Sequence, residues 1–281
     1  MCLGVNLVYL DQWVLIELSR DPTGKGHIVR TGLARKGMSL AIGFSHIFET
    51  AKAPGPNQDV LIKWIDGIPW VQIQALSNLI DMEMKNQLFR HLGFEKRLSI
   101  EPRGPIFDNK TEPTTFRELI SHCSGPQLVE FMRKHAEGHD TAIGQLLTDT
   151  KSNFGKEHEG MVMGWAKHAI TERTLQDCMP VKTPPNALKL GPFTMDFHWN
   201  ESPYSNLYSA FQTQRYKNAG RKPLHDLADS EHAIVSALAC DLILVDGNAR
   251  DTLIQSARLS GITMRAKILE SMDDLLSEMQ S

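Results

Sequence analysis

The sequence predicts an α/β fold with a largely parallel sheet. Three observations carry this reading: short aliphatic strands at both ends of the chain, helices alternating with them, and an aspartate closing each of the two clearest strands. Residues 5–10 are a β-branched and aliphatic run that stops at Asp11, and the apolar spacing of Trp13 to Leu18 predicts a helix that Asp21-Pro22 ends. The following TGKGHIVRTGLARKG segment, rich in glycine and basic residues, reads as a loop or a poorly packed helix. Ser39 to Gly43 reads as a second short strand. A helix is expected from Ser45, with His46 and Glu49 one turn apart on one face, up to Pro54-Gly55-Pro56.

The spacing from Asp59 to Ile73 predicts another helix and a short extended piece, and Ser77 to Leu92 an amphipathic helix capped by Ser77. Residues 93–200 carry many prolines between helical stretches near 114–136, 140–153 and 159–177, which predicts a mostly helical insertion within a single domain spanning 1–281. Tyr204 to Ala219 reads as a helix with a basic end. Leu227 to Ala239 follows as a helix beginning near Asp226 or Asp229, whose charges suit its positive N-terminus. Leu242 to Val245 is a fully apolar strand ending at Asp246, and a helix near 249–259, a strand near 262–269 and an acidic helix complete the chain.

Composition narrows the function classes. Hydrophobic residues are 41% of the chain and charged residues 22%, as in ordinary folded proteins, and 30 Lys and Arg against 33 Asp and Glu leave no overall basic field for nucleic acid. Any such binding has to come from a local patch or a metal. Cys2, Cys123, Cys178 and Cys240 stand too far apart in sequence for a zinc or redox motif and read as reduced thiols. No run approaches the ~20 apolar residues of a membrane span, and no signal peptide is evident, so a cytoplasmic address without membrane contact is expected.

The chemistry concentrates in carboxylates. In an open parallel sheet the carboxyl ends of the strands face the ligand crevice, so Asp11 and Asp246 are expected as neighbours. Asp229, 17 residues before Asp246, opens the intervening helix on the same edge, Asp226 lies one turn earlier, and Glu49 comes from the helix after the second strand. Such a set repels itself unless a hard divalent cation neutralises it, which points to Mg²⁺ or Mn²⁺ and to metal-assisted phosphodiester hydrolysis without a protein nucleophile. As isolated residues, the aspartates serve equally as helix caps and turns, and Glu49 as a solvated helix residue.

The stretch YLDQWVLIEL resembles the first strand and helix of PIN-domain nucleases, especially bacterial PIN-like proteins that open with a leucine-aspartate-glutamine segment. SHIFETAKA is similar to that group's serine, histidine and glutamate element, and HDLADSEHAIVSALACDLILVDG to its C-terminal aspartate-helix-strand-aspartate element. These motifs cover 42 of the 281 residues. The resemblance implies a three-layer α/β/α domain in which Asp11, Glu49, Asp229 and Asp246 bind Mg²⁺ or Mn²⁺, with Asp226 as competitor or auxiliary to Asp229. It also implies RNA cleavage, often by toxins of toxin–antitoxin pairs or by defence effectors, and hence an inhibitory or effector-complex protein partner; a homo-oligomer stays open.

His46 and His232 stand one turn from proposed acids and read either as substrate contacts or as structural residues. The basic runs Lys25 to Lys36 and Arg215 to Lys222, with Arg221 and Lys222 nearest the acidic motif, read either as phosphate contacts or as solvated faces. Glu17 is a reserve candidate, and Trp64, Trp70, Trp165 and Trp199 read as core or interface residues. DNA in place of RNA, and a catalytically silent binding module on the same fold, are the alternatives.

Overall fold

The computed structural model describes residues 6–52, 55–91, 93, 95, 97–105, 113–123, 198–217 and 232–281. The chain is α/β. Strand β1 (Asn6–Leu10) leads through helices α1 (Gln12–Arg20) and α2 (Lys25–Lys36) to β2 (Met38–Ile42). Helices α3 (Phe44–Lys52) and α4 (Pro56–Asp66) then lead to β3 (Trp70–Gln72), which α5 (Leu76–His91) and α6 (Phe116–Cys123) follow. After a 3-10 turn at Trp199–Glu201 come α7 (Pro203–Lys217), the helical residues 232–239 (α8), β4 (Leu242–Leu244), α9 (Gly247–Ser260), β5 (Lys267–Ile268) and α10 (Met272–Gln280).

All five strands are parallel, in the order β3-β2-β1-β4-β5. The chain winds outward from β1 to β3, then crosses back to β4 beside β1 and winds out the other way. The two halves use opposite faces. Alternate residues of β1 divide between them: Val8 and Leu10 pack with Leu40, Ile42, Leu242 and Leu244 against α1, α2, α4, α6 and α10, whereas Leu7 and Tyr9 pack with Ala41, Ile243 and Val245 against α5, α7, α8 and α9. The result is three layers, with the winding direction reversing between β1 and β4.

Several helices differ from what their sequences suggest. The glycine-rich basic segment is a well-packed helix, α2, because Gly26 and Gly32 bring it against its neighbours: a Cβ at Gly26 would stand 2.4 Å from the Leu18 carbonyl oxygen, and one at Gly32 would stand 2.6 Å from Met279. Helix α5 begins at Leu76, so Ser77 lies inside it and is no cap. The last strand is only Lys267–Ile268.

Of the segment expected as an insertion, the described parts join the main body. Phe116, Leu119 and Ile120 of α6 are core residues, the Phe116 N–H donates to Asp66 at 2.6 Å, and Arg103 pairs with Ile73 in an antiparallel bridge. The helices expected near 140–153 and 159–177 lie outside the described residues.

Helix α7 is buried although much of it is polar: Ser205, Asn206, Ser209, Gln212 and Thr213 are all nearly inaccessible. The Ser209 and Thr213 hydroxyls donate to carbonyls one turn back, each at 2.8 Å, which lets them pack as small residues. At its N-terminus, Glu83 of α5 accepts the Tyr204 and Ser205 N–H groups at 2.9 and 2.7 Å, and the Ser205 hydroxyl. Burial pushes the Glu83 carboxyl up to about 7 against these hydrogen bonds. No helix among the described residues is long and apolar enough to cross a membrane.

Candidate metal centre

Winding reverses between β1 and β4, and in such sheets the carboxyl ends of the strands at that point are the usual ligand position. Both flanking strands end in aspartate. Leu10 pairs with Leu244, and the next step brings the Asp11 N–H to the Leu244 carbonyl at 2.9 Å. Asp11 (φ −59°, ψ 157°) caps α1 and Asp246 (φ −62°, ψ 157°) caps α9, so the two strands turn into their helices in nearly the same way.

Each carboxylate is tied to its own helix. Asp11 Oδ1 accepts from the Gln12 N–H at 2.6 Å; Asp246 Oδ1 accepts from the Asn248 and Ala249 N–H groups at 2.7 and 3.1 Å. Capping alone would account for either residue. Their juxtaposition asks for more. Burial raises the Asp11 pKa; the Gln12 hydrogen bond opposes this and the charge of Asp246 adds to it. Two carboxylates therefore share one partly buried place, and among the described residues neither has a Lys or Arg in ion-pair contact.

Glu49 lies on α3, whose next residue, Thr50, accepts a hydrogen bond from the Gln12 amide nitrogen at 3.1 Å. That bond sets this turn of α3 beside the α1 N-terminus. The Gln12 Oε1 is buried without a hydrogen-bond partner among the described residues. Among the described residues, no three His, Cys, Asp or Glu side chains form a group that could hold a metal ion. The pair Asp11 and Asp246 is thus what the described fold assembles, with Glu49 nearby on α3. Asp226, Asp229, Arg221 and Lys222 lie outside the described residues.

The two histidines do not face solvent. His46 is fully buried; its Nδ1 accepts the Gly43 N–H at 3.2 Å and its Nε2–H donates to the Leu10 carbonyl at 2.8 Å. Burial lowers its pKa to about 4, so the ring is neutral and ties β1 to the turn after β2. Both ring nitrogens are in use, which leaves His46 no means of holding a phosphate. His232, at the start of the described part of α8, is also buried, and burial, with a smaller contribution from His46, pushes its pKa well below the usual range. Tyr9 lies against both, with ring centroids 4.8 Å from His46 and 6.1 Å from His232. The His232 Nε2 has no partner among the described residues.

Other candidates are engaged elsewhere. Glu17 pairs with Lys25 at 2.5 Å. Arg35 donates to the Met279 carbonyl at 2.6 Å and Lys36 lies 3.9 Å from Glu278, at the end of α2 that leads into the opposite edge of the sheet. The described part of the first basic run is thus largely occupied in packing. Trp64 is core, and Trp70 meets Phe116 edge-on at 6.3 Å.

Trp13 escaped the sequence reading. It is 41% exposed, one of two large hydrophobic residues so placed among those described, and lies two residues after Asp11 in the first turn of α1. The available signal was its phase on α1, one position ahead of the buried Val14, Leu15 and Leu18. Compared with family models, with curated proteins and with solved structures, the chain has no match in any of the three.

Proposed function

We propose that this chain is a PIN-like nuclease, dependent on Mg²⁺ or Mn²⁺, that hydrolyses RNA phosphodiester bonds. The observation that carries the reading is the Asp11 and Asp246 pair at the reversal of a parallel sheet, with Asp11 raised in pKa by burial and by its neighbour's charge.

The donor chemistry fits a hard divalent cation. Carboxylate oxygens are the preferred ligands, and Mg²⁺ is commonly held by only one or two of them, the rest of its shell being water and substrate phosphate. Asp11 and Asp246 would hold the ion, with Glu49, Asp229 and Asp226 as further ligands. When bound, such an ion supplies charge neutralisation at the phosphate and lowers the pKa of water. The N-termini of α1 and α9 orient the two carboxylates through their capping bonds. Arg221 and Lys222 would position the phosphate backbone. Cys240 is buried with its thiol pKa pushed up, which keeps it from acting as a nucleophile.

A cytoplasmic nuclease of this kind needs restraint, and an inhibitory or effector-complex partner in a toxin or defence system would supply it. The test is cleavage of labelled single-stranded RNA and DNA with Mn²⁺, Mg²⁺ or EDTA, comparing wild type with Asp11→Asn and Asp246→Asn. We expect metal-dependent cutting of RNA, reduced at least about 100-fold by either substitution, since even residues behind the ligands are commonly worth 10–100-fold. Absence of cutting, or variants as active as wild type, would overturn the reading and favour a binding module.

A further inference from the structure

We propose that Gln12 is a positioning residue for the cation site: it joins the Asp11 end of β1 to the turn of α3 that carries Glu49, and so fixes the third carboxylate relative to the pair without itself touching the ion. The inference deepens the metal-site reading and rests on it.

Gln12 holds both sides of this junction. Its backbone N–H donates to Asp11 Oδ1 at 2.6 Å, and its side-chain Nε2 donates to the Thr50 hydroxyl at 3.1 Å. A second tie runs beside the first, from the His46 Nε2–H to the Leu10 carbonyl at 2.8 Å. Leu10 and Gln12 are the two neighbours of Asp11, while His46 and Thr50 stand one helical turn apart on α3, with Glu49 between them in sequence. Helix α3 thus grips the chain on either side of Asp11. Thr50 is held in turn by α4, whose Gln58 amide donates to its carbonyl at 2.8 Å.

The Gln12 bond leaves a defect behind. Gln12 is 7% exposed and Thr50 2%, and the Gln12 Oε1 is buried with no partner among the described residues. An unpaired buried carbonyl oxygen destabilises a fold, and an apolar pair of similar shape would fill this place without one. Polar groups kept against stability are expected at functional positions. An amide suits the role because it is uncharged: it anchors α3 without supplying a cation that would compete for the carboxylates.

The experiment uses the full-length protein and Mn²⁺ alone, with free Mn²⁺ read by EPR and Tm measured in EDTA. The variants are Gln12→Met, Gln12→Met with Thr50→Val, Glu49→Gln, and Glu49→Gln with Gln12→Met. Met and Val keep the bulk and remove the bond. We expect Gln12→Met, with or without Thr50→Val, to weaken Mn²⁺ binding about 10-fold or more, the range common for residues behind metal ligands. The Gln12→Met, Thr50→Val protein should melt no lower than wild type, and Gln12→Met should add less than about 2-fold once Glu49→Gln is in place. A loss of affinity matched by a lower Tm in EDTA would return Gln12 to a structural role and overturn the inference. A full further loss in the Glu49→Gln background, or a Glu49→Gln protein that binds like wild type, would overturn it too, because Gln12 would not be acting through Glu49. Wild type that binds Mn²⁺ beside Gln12 variants that bind it equally defeats this inference alone; wild type that binds no Mn²⁺ defeats the metal-site reading and the inference with it.

Discussion

Strand β4 has an aspartate at each end, and the molecule treats the two in opposite ways. Asp241, just before the strand, accepts the Leu7 N–H on Oδ2 at 2.8 Å and receives the Arg265 guanidinium on Oδ1, with Nη2 at 2.8 Å and Nε at 3.2 Å. Its charge is balanced inside the chain, and the edge of the sheet it guards is closed. Asp246, just after the strand, caps a helix and shares its place with Asp11, with no cation in contact among the described residues. The first arrangement is complete as folded. In the second, no Lys or Arg among the described residues is in ion-pair contact with either carboxylate, and the proposed metal-binding role rests on that difference.

The largest test of this contrast is metal-linked stability. If the Asp11 and Asp246 end is open to a cation, Mn²⁺ at about 100 times its Kd should add about 2.7 kcal/mol, measured as a rise in Tm. The gain should shrink as pH falls through the raised pKa of Asp11, because a protonated carboxyl no longer binds the ion. A rise in Tm that is independent of pH, or that survives in Asp11→Asn, would show the cation binding elsewhere.

At the closed end the expected effect is somewhat smaller and opposite in kind. Asp241→Ala leaves the N–H of Leu7, a fully buried residue, without its acceptor, costing about 2 kcal/mol, whereas the half-exposed Arg265 pair adds little. Chemical denaturation should register that loss while the Mn²⁺ response stays intact. If Asp241→Ala removed the Mn²⁺ response, the assignment of roles to the two ends would be wrong.

How far the sequence could lead is itself explained by this contrast. The open end was legible, since an aliphatic strand stopping at an aspartate is a local pattern, and two such strands in a parallel sheet must end on one edge. Asp241 was not, because its partners Leu7 and Arg265 come from separate strands' ends and only the register joins them. The histidines were legible only as alternatives: one turn of helix places His46 near Glu49, but the bond to Leu10 that makes it structural crosses to another strand. Helix α2 was misjudged because glycines read as helix weakness locally, whereas here they permit the close approach of α1 and α10. The burial of α7 was hidden by its composition, since serine and threonine hydroxyls bonded to their own backbone do not register as core.

The smallest expected effect is the most discriminating. Burial and the charge of Asp246 raise the folded pKa of Asp11 above its ordinary value of 3.8, so the folded state holds the Asp11 proton more tightly than the unfolded chain. For such a group stability is greatest at low pH and is lost as pH rises through the folded pKa. Asp11→Asn removes that loss and keeps the cap of α1, because asparagine caps helices about as well as aspartate. In EDTA near neutral pH the variant should therefore be slightly more stable than wild type, by under about 1 kcal/mol, and the advantage should fade on acidification. Asp241→Asn at the closed end should do the reverse, losing stability at neutral pH by weakening the Arg265 pair. Matching signs for the two substitutions would mean that Asp11 is compensated within the chain, as Asp241 is, and that no cation is needed to balance it.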